Sequence, residues 1–210
     1  MLIRARARGT SLIELMIGLA ILGLLLGMGI PAFQTMMQNY QIRTTAEAMI
    51  SGLQTARNEA VRRNTSVRFQ LVNSIDADCN PVETGTNWVV SRNDPTAKCD
   101  QAPVTSFLEP NNTGIPQILQ KYQAEGGTAT VSGTSGGAAA SSVIFTSLGR
   151  LASGNTNIDT IDIANPTGDT CEHDATPGKM RCMRIRISGG GQVKMCDPKV
   201  TAATDSRFCQ

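Results

Sequence analysis

A chain of 210 residues makes about one domain, or one domain with an appendage. It is 40% hydrophobic, 17% charged and carries a formal net charge of +2, which excludes both a disordered chain and a chain-wide polycation built to coat nucleic acid. One His excludes His-rich metal sites, and 20 Gly argue against an all-helical fold.

The chain opens on a basic segment. Residues 1–9 carry Arg4, Arg6 and Arg8 and no acid, so by the positive-inside rule this end stays cytoplasmic. Leu15 to Phe33 then holds no charged residue and no side-chain amide. Such a stretch, as helix, spans roughly 28 Å, close to the thickness of a bilayer core. A secretory signal peptide would be cut after the apolar run, where Gly27-Met28-Gly29 is the only weak small-x-small site and Pro31 stands close behind. An uncut signal anchor is the other bland reading.

One residue fits neither. Glu14 places a carboxylate at the start of an apolar span, where an acid is costly and marks function. The run Gly9-Thr10-Ser11-Leu12-Ile13-Glu14-Leu15-Met16 resembles the class III leader of type IV prepilins and type II secretion pseudopilins. Gly9 matches the residue before the cut, Glu14 the acid five residues into the mature chain, and Pro31 the helix-loosening proline. The family usually has Phe or Met first in the mature protein, and this chain has Thr10. The resemblance implies a prepilin peptidase as partner, cleavage between Gly9 and Thr10, and N-methylation of Thr10. It also implies that Glu14 guides assembly by pairing with the N-terminal ammonium of a neighbouring subunit. In low dielectric an unpaired acid is costly, so only register-matched neighbours satisfy both groups.

After Pro31 the helical pattern resumes. Ala46, Met49, Ile50, Leu53, Ala60 and Val61 recur at three- and four-residue spacings, with Arg43, Gln54, Arg57, Asn58, Arg62 and Arg63 on other faces. Ser11 to Arg63 is expected as one helix of roughly 80 Å, stopped at Asn64. The periodicity reads as a helix packed on a sheet. The segment Leu53 to Asn64 resembles the helix end of the GspH/FimT/FimU group.

The remainder reads as β. Val67, Phe69 and Leu71 alternate with Arg68 and Gln70, as in a half-buried strand. Further strands are expected at Asn87–Ser91, Ile118–Tyr122, Thr128–Val131, Val143–Ser147, Ile158–Ile163, Met183–Ile187 and Val193–Cys196. The small, polar run Ser132 to Ser142 reads as a flexible loop. The fold class is therefore α+β, a long N-terminal helix packed on small antiparallel sheets. Its parts are a leader (1–9), a transmembrane half-helix (10–33), an amphipathic half-helix (34–64) and a periplasmic β-rich body (65–210). Ile144 to Arg150, and Cys182 to Cys196 with Asp197-Pro198 and Asp205 to Cys209, resemble the same group. The insertion from about Ile75 to Asn112 matches nothing.

Cys79, Cys99, Cys171, Cys182, Cys196 and Cys209 all lie outside the apolar span, and an even number in an exported body reads as disulfides. Six cysteines allow fifteen connectivities. Sequential pairing closes three short loops. If Gly189 to Gly191 turns a hairpin, Cys182 and Cys196 lie nearly opposite each other and bond instead. Zinc would need close spacings such as C-x₂-C, which are absent.

No phosphate loop, nucleotide fingerprint or G-x-S-x-G elbow occurs. Asp159 and Asp162, Asp94 and Asp100, and His173 read as solvated surface groups. The expectation is a non-enzyme with no cofactor and no metal. One charged feature stands apart. Lys179, Arg181, Arg184, Arg186, Lys194, Lys199 and Arg207 crowd the C-terminal segment against Asp197 and Asp205. Arg184 and Arg186 fall on one strand face, with Met183, Ile185 and Ile187 on the other. Arg184, Arg186 and Lys194 are thus candidate phosphate contacts for weak, salt-sensitive DNA binding. Some FimT proteins are DNA receptors with a Gly-Arg-x-Arg motif. The matching place here is Gly191-Gln192-Val193-Lys194, where Gln has no charge and Lys lacks the bidentate fork. The resemblance therefore favours a minor pilin that helps start or cap a type IV pilus, with a type II secretion pseudopilin second and a DNA-uptake pilin third. It implies other pilins or pseudopilins as partners. It implies anchorage in inner-membrane lipid, with the N-terminus cytoplasmic and the body periplasmic.

Overall fold

A computed structural model of the chain describes residues 11–154, 156–165 and 167–209. The chain divides into two compact units, residues 1–37 and 38–210, and helix α1 (Leu12–Arg62) contributes to both.

In the first unit the helix is apolar on every side. Leu15, Ile17, Leu19, Ile21, Leu24 and Phe33 are each more than half exposed, so nothing among the described residues covers them. This stretch is long and apolar enough to cross a membrane.

The second unit builds the core. Of the stripe that the three- and four-residue spacing predicts, Ala46, Met49, Leu53 and Ala60 are fully buried and Ile50 partly so; Ile42 and Ala56 join this face, while Val61 turns out exposed. The helix stops at Asn64, whose positive φ of 48° caps the last turn. Asn64 N–H donates to Val61 O, and Thr65 N–H to Ala60 O.

Two antiparallel sheets pack with this face in a shared core. The first contains β1 (Val67–Val72), β2 (Asn87–Ser91), β3 (Ile118–Tyr122) and β6 (Ser142–Phe145), in the order β3-β2-β1-β6. The second contains β4 (Thr130–Ser135), β5 (Ala138–Ala139), β7 (Thr160–Ala164), β8 (Met183–Ile187) and β9 (Val193–Cys196), in the order β5-β4-β7-β8-β9. Gly52 lets α1 approach the first sheet closely. A Cβ there would sit 2.8 Å from the Phe69 ring and 2.9 Å from Trp88. Trp88 stacks on Tyr122 at 5.4 Å between ring centroids.

Several expectations are corrected. Ser132 to Ser142 is a hairpin and not a loop. Gly136 and Gly137, at φ 57° and 88°, form the tight turn between β4 and β5, as two positive-φ residues allow. The small side chains that read as low complexity serve close packing: a Cβ on Gly133 would lie 2.5 Å from Ala140 O. Accordingly β4 begins two residues later than expected and runs on through Ser135. β6 stops at Phe145, because Thr146 to Arg150 closes a turn. β7 starts at Thr160, because Ile158 and Asp159 donate their amides to Ser142 O and Thr134 O.

The insertion from Ile75 to Asn112 is structured and includes β2. Val72, Cys79, Val89, Cys99 and Ile118 form a second small core, with the Cys79–Cys99 disulfide inside it. The insertion also reaches the end of α1. Both Arg63 and Arg92 stand over the Phe107 ring, their guanidinium carbons 4.5 and 5.1 Å from its centroid. Arg63 also donates to Thr105 O.

Candidate functional site

Two regions hold the residues singled out from the sequence. The first is the start of α1. Gly9 and Thr10 lie outside the described residues. Glu14 stands in the first helical turn, exposed, where the helix dipole favours an acid. Among the described residues nothing pairs with it.

The second region is the polar face of β7, β8 and β9. Ile185 and Ile187 are buried while Arg184 and Arg186 face outward, as strand alternation requires. The register sets Arg186 beside Lys194 on β9, and the three basic side chains share a face. A shallow groove of about 130 Å³ runs along Arg186, Ile187, Ser188, Gln192 and Lys194.

The same register brings in two acids. Asp162 on β7 lies opposite Arg184, whose Nε and Nη2 donate to its two carboxylate oxygens at 2.6 and 3.2 Å. Arg186 donates to Thr160 Oγ1 and stands 3.8 Å from Asp159. Lys194 Nζ donates to Phe208 O at 3.2 Å. Asp159 and Asp162 are therefore partners of the basic strand and not free solvated acids. The alternation through Thr160 to Ile163 could have placed Asp162 on a polar face, but only the β7–β8 register names its partner. Each candidate phosphate contact already has an acceptor. DNA would have to compete with carboxylates that neutralise most of the local charge.

The hairpin turn between β8 and β9 is fixed from below. Gly191 has a positive φ of 78°, and a Cβ there would collide with Gly149 O. Arg57 of α1 donates its Nε to that same carbonyl at 3.1 Å. The Gly191-Gln192-Val193-Lys194 segment is thus keyed to the helix and to the turn after β6.

The disulfides are Cys79–Cys99, Cys171–Cys182 and Cys196–Cys209, the sequential set. The alternative Cys182–Cys196 bond fails on register. Arg184, not Cys182, lies opposite Cys196. Cys171, His173 and Asp174 place potential ligand atoms within 4.8 Å of one another. The Cys171 sulfur is committed to its disulfide, so only an exposed His and Asp remain, too few for a structural zinc site.

The carboxyl of Glu59 is held below its usual range by hydrogen bonds from Arg62, against opposing burial, with Arg63 adding to the effect. This ion cluster sits at the end of α1, where Arg63 meets the insertion.

Comparison with known proteins gives two family matches. Residues 45–191 match the family described as type II transport protein GspH, and residues 4–30 match the prokaryotic N-terminal methylation motif. No curated protein sequence matches. Among solved structures, the chain is similar to the type IV minor pilin FimU of Pseudomonas aeruginosa (strain PAO1) in two crystal forms. The form in space group P21 is 16% identical with a TM-score of 0.46, covering 78% of this chain and 94% of that one. The form in P65 is 17% identical with a TM-score of 0.42, covering 77% and 97%. With more than two thirds of its length matched by one family, and an N-terminal methylation motif ahead of it, the chain belongs to the GspH family.

Proposed function

We propose that the protein is a minor type IV pilin, a non-enzymatic subunit that helps initiate or cap pilus assembly. A prepilin peptidase cuts it between Gly9 and Thr10 and methylates Thr10. The protein then sits in the inner membrane as a single span, with a cytoplasmic N-terminus and a periplasmic body, until it joins the fibre. One observation carries the reading: the described apolar side chains between Leu12 and Phe33 are exposed on every side of the helix, and Glu14 is the one acid among them. Lipid suits the apolar faces before assembly, and neighbouring pilin helices suit them afterwards. Glu14 takes its partner from the ammonium of an adjacent subunit.

The family match supports a second reading, a minor pseudopilin of a type II secretion system. A DNA-uptake pilin ranks third, because Arg184 and Arg186 are already paired.

Intact-mass analysis in a host with prepilin peptidase tests the processing. The expected product lacks nine residues, and Gly9→Val stays uncut. Glu14→Ala should be inserted and processed yet be missing from purified pili. An uncut wild-type chain, or normal incorporation of Glu14→Ala, refutes the reading. A protein absent from pili whose deletion abolishes type II secretion selects the second reading.

A further inference from the structure

The helix leaves the body through a ring of side-chain contacts that the fold alone does not require. Asn39 bonds the backbone of the loop before β8 twice. Its Nδ2 donates to Lys179 O at 3.4 Å, and its Oδ1 accepts from Arg181 N–H at 2.7 Å. Between these two residues, Met180 is fully buried in the main core. Two residues along the helix, Gln41 Oε1 accepts from Thr128 N–H, Thr128 Oγ1 and Asn165 Nδ2. Gly168 closes the ring, since a Cβ there would lie 2.5 Å from Gln38 Oε1 and 2.7 Å from Met180 Sδ.

The loop that supplies the Asn39 contacts is mostly exposed and is held chiefly by bonds within itself, with Lys199 Nζ donating to Glu172 from outside. From Asp169 to Arg181 only Met180 is buried. Its backbone bonds include Glu172 N–H to Met180 O, Met180 N–H to Thr170 O, and Asp174 N–H and Gly178 N–H to Cys171 O, with the Cys171–Cys182 disulfide beside them. A closed loop of this length has far fewer unfolded arrangements than an open one. Cys182 follows Arg181 directly, so the disulfide ties the segment that meets Asn39 to Cys171.

We propose that the loop closed by Cys171–Cys182 is a redox-set clasp, which locks the helix at Gln38–Gln41 only once the disulfide has formed. The bond forms by thiol–disulfide exchange. Two thiols of this chain lose two protons and two electrons, and the disulfide of an oxidising protein partner is reduced to two thiols. On the proposed membrane-subunit reading, the clasp stays open until the body reaches an oxidising compartment, and assembly receives only subunits with a fixed helix.

Hydrogen exchange on the full chain in detergent micelles tests the clasp. Cys171→Ser/Cys182→Ser should speed exchange across residues 38–46 about tenfold while residues 53–60 keep their protection. Cys196→Ser/Cys209→Ser should leave both segments unchanged. Wild-type exchange across 38–46 without the Cys171–Cys182 bond overturns the proposal. Should that variant fail to fold, Asn39→Ala decides. Coupling is reciprocal, so opening the clasp must ease reduction. In Asn39→Ala the equilibrium of Cys171–Cys182 with dithiothreitol should shift about tenfold toward thiols, with Cys196–Cys209 unmoved. An unshifted equilibrium overturns the proposal. Neither readout depends on which assembly the subunit joins, so failure here leaves the pilin reading intact, and failed pilus incorporation leaves the clasp intact.

Discussion

Gly52→Ala is the sharpest probe of how the helix meets the first sheet. In an exposed helix this change stabilises by about 1 kcal/mol, because Gly has more freedom to lose. Here the new methyl would stand 2.8 Å from Phe69 Cε2 and 2.9 Å from two Trp88 ring carbons. Both rings are buried, and Trp88 is held between Phe69 and Tyr122, so neither can swing aside. Forcing extra volume into such a place costs about 1–3 kcal/mol, which outweighs the propensity gain. The net expectation is a loss of up to about 2 kcal/mol, or up to roughly 8 °C in Tm for a chain of this size. Thermal unfolding followed by circular dichroism measures it, with the exposed neighbour Ser51→Ala as a control that should be neutral or slightly stabilising. Phe69→Leu alone should also destabilise, but combined with Gly52→Ala the two losses should sum to less than their parts, since the smaller side chain leaves room. A Gly52→Ala protein stabilised by the full propensity gain of about 1 kcal/mol, or strict additivity with Phe69→Leu, refutes the close-packing argument.

Two further outcomes follow from the charges. Because the folded-state pKa of Glu59 is depressed, its contribution is fully present above the ordinary value of 4.5 and is lost as pH falls through the lower folded value. Urea unfolding at pH 6 and at successive steps below pH 4.5 should show this loss, and Glu59→Gln should flatten the profile while lowering stability at pH 6. At the β7–β8 pair, Asp162→Asn frees the Arg184 guanidinium and removes a negative charge. Any binding of DNA at low salt should then strengthen and steepen its salt dependence by about one unit, as fluorescence anisotropy would read. Unchanged binding would show that the carboxylate does not compete with phosphate.

The sequence alone determined what is written in local periodicity. The basic leader, the uninterrupted apolar run with Glu14 at its head and the three-four spacing through Ala60 specify the helix without any partner. Alternation marks Val67–Leu71 and Met183–Ile187 as strands, since successive side chains of a strand point to opposite faces, but that β1 is buried on both faces, Gln70 and Val72 included, shows only in the structure. Tertiary structure decided what depends on which strands become neighbours. Asp162 meets Arg184 only because β7 pairs with β8 in one register, and Cys182 misses Cys196 by that same kind of register. The hairpin of β4 and β5 escaped notice because glycines and alanines carry no alternating pattern. Their contribution is the space they leave, and that space has meaning only once Ala140 O and the rest of the core stand around it. The contacts of Asn39 and Gln41 were equally silent, since a polar residue on a helix reads as solvated until groups far along the chain, the Arg181 backbone and the Asn165 amide, arrive to bond it.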